Sequence, residues 1–171
     1  MHASAGGTVI GMDLVAHAPP DGYTLLGASE TLMLNGVFNR AKYDVRKTFV
    51  PIVQLTTQPY ALLVHRSVPA KSVKELIAYA KSKAGALNFG SQGHGTNTYG
   101  YYAPAATPRA IIRAINAVVS QGMNAPETVK ALAVDGNEVV APMTPEEVKA
   151  KFEREYAALE KLIRTLNITL N

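Results

Sequence analysis

Apolar positions along the chain fall into short blocks whose spacing alternates between helical and strand-like. Val9, Met12 and Val15 share one side of a helix that Thr8 can cap and that "APPDG" (18–22) ends with proline and a turn. "YTLLGA" (23–28) reads as a short buried strand, "SETLMLNGVF" (29–38) as a brief helix, and "KYDVRKTF" (42–49) as a connection. Two apolar runs follow, Val50 to Leu55 and Tyr60 to His65, and Pro59 breaks them into two expected strands because proline lacks the ladder donor. Val73, Leu76, Ile77 and Ala80 return to helical spacing, with Ser72 and Glu75 placed as a capping box. "ALNFG" (86–90) is a further expected strand, and it delivers a glycine-rich loop.

Beyond Gly100 the pattern becomes mostly helical. Thr107 and Pro108 open a helix with an apolar stripe of Ile111, Ile112, Ile115, Val118 and Val119, and Pro126 opens the next, which Gly136 stops. "NEVVAPM" (137–143) reads as a short strand. Thr144, Pro145, Glu146 and Glu147 then start a last helix whose stripe is Val148, Phe152, Tyr156, Leu159 and Ile163. Alternating strands and helices predict an α/β fold, a three-layer unit with a mainly parallel sheet flanked by helices.

Composition narrows the picture only a little. The 171 residues suit one domain with a real core, and 47% apolar with 18% charged residues is ordinary globular composition. Net charge is +4, but the cations are spread like the wet sides of helices, so a nucleic-acid partner is not expected. With no cysteine there is no disulfide and no thiol chemistry. The four histidines show no ligand spacing, so neither a metal nor a cofactor is expected. No apolar run reaches membrane-spanning length, and "MHASAGGTVIG" lacks the features of an export signal, so the chain as written would stay in the compartment that made it, cytoplasmic as expressed.

The candidate chemistry lies in "NFGSQGHGTNTYG" (88–100). A glycine-rich loop after a strand presents backbone N–H groups at a sheet edge, and Ser91, Gln92, Gly93, His94, Gly95, Thr96 and Asn97 form a neutral nest suited to a carboxylate or phosphate. Read structurally instead, its glycines serve a tight connection. The loop matches neither the phosphate-loop signature nor a nucleophile elbow, and His94 has no evident acid to orient it toward Ser91. Ser29, Glu30 and Thr31 follow a strand and either line the same edge or cap a helix with a first-turn acid. Tyr99, Tyr101 and Tyr102 either stack on a ligand ring or fill the core.

Four longer stretches carry a resemblance: "GGTVIGMDLVAHAPPDGYTLLGASETLMLN", "KTFVPIVQLTTQPYALLVHRSVPAKSVKELIAYAKSKAGALNFGSQGHGT", "YGYYAPAATPRAIIRAINAVV" and "TPEEVKAKFEREYAALEKLI". Together they resemble the Bug family, TctC-like periplasmic solute receptors of tripartite tricarboxylate transporters. The resemblance implies a non-enzymatic binding protein that clamps a small carboxylate between two lobes, works with membrane transporter subunits and lives in the periplasm. On that pattern residues 91–98 form a first-lobe ligand loop and Ser29 to Thr31 lie beside the cleft. Family members carry a strand and a ligand loop ahead of "GGT", and a whole lobe between the glycine-rich loop and the "YG-x-x-A-P" return. Here Thr98 runs straight into Tyr99. The expectation is therefore one lobe of a type II-like binding protein, built from 1–99 and 100–171, with the second lobe absent. Glu30 departs from the pattern, since an acid repels an anionic ligand. A half-cleft predicts affinity no tighter than about millimolar, about 4 kcal/mol, and unpaired surface predicts a homo-oligomer. The alternatives are a non-binding interaction module, whether remnant or engineered lobe, and a phosphate-handling α/β enzyme.

Overall fold

The computed structural model describes residues 9–38, 40–58, 62–83 and 98–166. The chain divides into two compact units, one of Met1–Gln58 with Thr96–Asn171 and one of Pro59–Gly95. In the smaller unit the described element is helix α4, Val73–Ser82. Ser72 Oγ accepts the Glu75 N–H at 3.2 Å, as the sequence predicts, while the Glu75 carboxylate reaches back to Lys71 N at 2.7 Å, one residue earlier than a standard box. Residues 62–65 pair with no described strand, so the second strand expected there does not form among them. An apolar run becomes a strand only when its backbone groups find a ladder. Residues 59–61, and the strand expected at 86–90, lie outside the described residues.

The larger unit holds the sheet. Helix α1 (Val9–Ala16) buries Met12 and Val15 as the spacing predicts, whereas the Thr8 cap lies outside the described residues. Strand β1 is Leu26–Ser29, helix α2 Thr31–Val37, and a single turn, α3 (Val45–Thr48), stands inside the expected connection. Asp44 makes that turn by accepting the Arg46 N–H at 3.0 Å. Strand β2 is Phe49–Thr57 and β3 is Thr98–Pro104. Helices α5 (Arg109–Met123) and α6 (Pro126–Ala133), the two-residue strand β4 (Glu138–Val139) and helix α7 (Pro145–Leu166) complete it.

The strand order is β1-β3-β2-β4, and every pair is antiparallel, which corrects the mainly parallel sheet that the sequence predicts. The reason is specific. β1 and β2 both oppose β3, so they do run in one direction, as strand-helix-strand alternation requires, but β3 lies between them and takes both ladders. Tyrosine and threonine favour strands, and that signal at 98–102 is the one the helical character of the later chain obscures. Pro51 is tolerated within β2 because β4 pairs with Thr56 and Thr57, leaving Pro51 a single ladder among the described residues, to β3, and the register shifts just after it.

Helices cover both faces, and the α/β class stands. Tyr102 points into a core with Met12, Leu32, Phe49, Phe152 and Tyr156, whereas Tyr101 lies against a second cluster of Ile52, Ala103 and Ile112. Alternation along β3 therefore feeds two cores. Gly100 is required there, because a Cβ would approach the Val53 carbonyl oxygen to 2.8 Å. The α7 stripe buries Val148, Phe152 and Tyr156, and Leu159 packs against them.

Candidate functional site

Three strand ends meet at one edge of the larger unit. β1 finishes at Ser29, which pairs with Tyr99 near the start of β3, and β2 finishes at Thr57, which pairs with Thr98. Thr56 and Ser29 are buried, Thr31 and Thr98 half-buried, so a rim of hydroxyls marks the edge. Ser29 Oγ and Thr31 Oγ1 share a hydrogen bond of 2.9 Å, and the Thr31 N–H approaches Ser29 Oγ at 3.5 Å. Glu30 occupies the cap position of α2 with helical backbone angles and makes no side-chain cap bond. Ser29, rather than Glu30, is thus the residue that answers the first N–H groups of α2, weakly.

Of the residues that the sequence marks for ligand contact, Ser29, Glu30 and Thr31 are brought together at this edge. Ser91, Gln92, Gly93, His94, Gly95, Thr96 and Asn97 lie outside the described residues. The peptide bond between Asn97 and Thr98 joins the glycine-rich segment to the first residue of β3. The tyrosines divide. Tyr102 is core, Tyr101 packs on the second cluster, and Tyr99 is 43% exposed beside Ser29.

Behind the rim lies a polar cluster that the sequence reading missed. Lys151 Nζ donates to Gln54 Oε1 at 2.7 Å and stands 3.7 Å from Glu155 Oε1. Lys151 fixes which way the Gln54 amide faces, and among the described residues Nε2 is left buried with no partner. It borders a void of about 20 Å³ shared with Thr98, Gly100 and Glu155, room for a single water. Burial first, then the charges of Glu155 and Glu30, push the Tyr102 hydroxyl well above the ordinary tyrosine range, so it stays protonated. Gln54 within the apolar run 50–55 was the readable signal. Lys151 and Glu155, one helical turn apart, look in sequence like a solvated pair.

Among the described residues no group of three or more acids, histidines or cysteines is placed to hold a metal. No described helix is long and apolar enough to cross a membrane.

Comparison with known proteins gives one consistent result. The family described as tripartite tricarboxylate transporter family receptor matches residues 1–99. A UPF0065 protein of Bordetella pertussis is 36% identical over 97 residues, which is 56% of this chain and 30% of that protein. The chain thus spans less than a third of the length of such curated relatives. Among solved structures, a periplasmic transporter superposes with a TM-score of 0.77 at 19% identity, covering 98% of this chain and 85% of the other. MatC from Rhodopseudomonas palustris, with bound malate, gives 0.70 at 19% identity, covering 93% and 85%. At such identities the superpositions show the fold. The matching family is one of transporter receptors, and the solved neighbours include the periplasmic binding protein BugD.

Proposed function

Because this chain belongs to the tripartite tricarboxylate transporter receptor family, we propose that it is the solute-binding part of such a system, acting in the periplasm with membrane transporter subunits. Its ligand is a small di- or tricarboxylate. The observation that carries this reading is the hydroxyl rim at the joint end of β1, β2 and β3, where Ser29 and Thr31 form a pair beside Tyr99. A carboxylate suits such an edge, since hydroxyls and backbone N–H groups satisfy its lone pairs without a formal cation. Ser91, Gln92, Gly93, His94, Gly95, Thr96 and Asn97 of the glycine-rich segment are further ligand candidates through their neutral donors, and the segment leads by covalent bond into Thr98. The chain acts as a single lobe assembled from 1–99 and 100–171, and binding is weak, near millimolar, because one wall leaves the ligand half-hydrated. Glu30 biases the edge against highly charged ligands, and its field is already felt at Tyr102.

Thermal unfolding with malate, adipate and citrate tests the reading. Each at about ten times its Kd should stabilise by roughly 1.4 kcal/mol. Ser29→Ala with Thr31→Val should abolish the shift while the ligand-free melting point moves little. A chain indifferent to all three acids would instead support a non-binding module.

We also propose self-association through α1. That helix buries Met12 and Val15 on one side and leaves Ile10 and Leu14 about half exposed on the other, a pattern expected of a helix covered on both sides. Light scattering should report a dimer or larger that Leu14→Glu dissociates, and a monomer at all concentrations would end the idea.

A further inference from the structure

At the far end of β3 from Ser29, the larger unit carries a second recess that is open to solvent. Val50 of β2 and Ile112 of α5 form an apolar floor, Pro145 of α7 a side wall, and the volume is about 150 Å³. Arg109 and Arg113, one turn apart on α5, and Lys149 on α7 rim it against a single acid, Glu146. That acid is already engaged, because Arg113 Nη2 donates to Glu146 Oε1 at 2.9 Å. Arg109 and Lys149 make no ion pair among the described residues. The walls are held before anything binds: Asn116 Nδ2 donates to the Ile52 carbonyl at 2.8 Å and to the Met143 carbonyl at 3.0 Å, tying α5, β2 and the approach to α7. Such preorganisation lowers the entropy lost on binding.

Size and charge together define the occupant. An apolar space of about 150 Å³ accepts a body the size of benzene, and pockets for larger ligands begin near 300 Å³. A rim with surplus cations selects an anion, and a guanidinium fits a carboxylate with two parallel hydrogen bonds. We propose that this recess is a second ligand site, which takes a compact monocarboxylate with an aromatic or branched apolar body. The body rests on Val50 and Ile112, and the carboxylate meets Arg109 and Lys149. The site does not depend on the receptor reading. Val50 pairs with Ala103 and Ser29 with Tyr99, positions about 13 Å apart along β3 at roughly 3.3 Å per residue.

Benzoate is the probe, followed by amide NMR titration of the whole chain at low salt. Benzoate should shift the amides around Val50, Ile112 and Lys149 and saturate. Benzamide, which lacks the charge, and acetate, which lacks the ring, should bind at least about tenfold more weakly. Arg109→Gln with Lys149→Gln should weaken benzoate by about tenfold with the rest of the spectrum unchanged, and Glu146→Gln, which releases Arg113, should strengthen it by about threefold. Equal responses to benzoate and benzamide, shifts confined to other surfaces, or unaltered affinity in the double variant would each overturn the proposal. So would a silent benzoate titration alongside an acetylated Glu-Leu-Glu peptide amide that moves the same amides, because the occupant would then be an acidic protein segment.

Discussion

Gly36 sits inside α2, where local propensity alone favours alanine by about 1 kcal/mol. Its surroundings reverse that preference. A Cβ there would meet Val45 Cγ2 at 2.5 Å and Tyr156 Oη at 2.8 Å, and Tyr156 is held in place by Phe152 on one side and the Arg46 guanidinium 4.8 Å from its ring centroid. Overpacking costs about 1–3 kcal/mol and wins. Gly36→Ala should therefore lower stability by about 1 kcal/mol in urea unfolding, and a gain would show that Tyr156 yields. Residue identities at the candidate site were similarly readable only where chemistry is local. Ser29 and Thr31 announce themselves as hydroxyls after a strand, and their hydrogen bond spans two residues. Gln54 and Lys151 meet across 97 positions, so nothing in either neighbourhood announces the pair.

Helix ends were the most legible elements, because a cap is built from residues three or four apart. Thr144 and Glu147 form a reciprocal box, with Glu147 N–H donating to Thr144 Oγ1 at 3.2 Å and Thr144 N–H to the Glu147 carboxylate at 2.8 Å. Those bonds, the Thr144 N–H first and its hydroxyl second, hold Glu147 below its ordinary value of 4.5. A carboxylate depressed in the folded state contributes its stabilisation above the unfolded value and loses it as pH falls through the folded one. Thr144→Ala should destabilise the fold near neutral pH through the lost cap, and the part of its deficit that comes from the hydroxyl bond to the Glu147 carboxylate should vanish below pH 4.5. A deficit constant down to pH 2 would remove the box from the explanation. Strands were less legible than caps. β1 and β2 stand where apolar runs predict them, but β3 is recognised only by the partners it finds, and 62–65, equally apolar, finds none among the described strands.

Within the larger unit, β3 is the piece on which the sheet depends, and it comes from the second half of the chain. The family match ends at residue 99, yet among the described residues β1 has no strand neighbour other than β3, and both α5 and α7 follow it. A fragment of residues 1–99 should accordingly lack the dispersed amide spectrum of a folded protein, and adding 100–171 should restore it; a well-dispersed 1–99 alone would contradict the strand order. The sequence by itself determined the longer helices, the Ser72 and Thr144 caps, the α/β class and the hydroxyls at the end of β1, since each rests on neighbours within a turn or on side-chain periodicity. Only the tertiary structure decided that the sheet is antiparallel, that Tyr102 serves the core while Tyr99 faces outward, and that Arg109, Arg113 and Lys149 share one recess. Those outcomes turn on which distant segments pair, and hydrogen-bond ladders and packed faces form between residues whose separation along the chain carries no local signature.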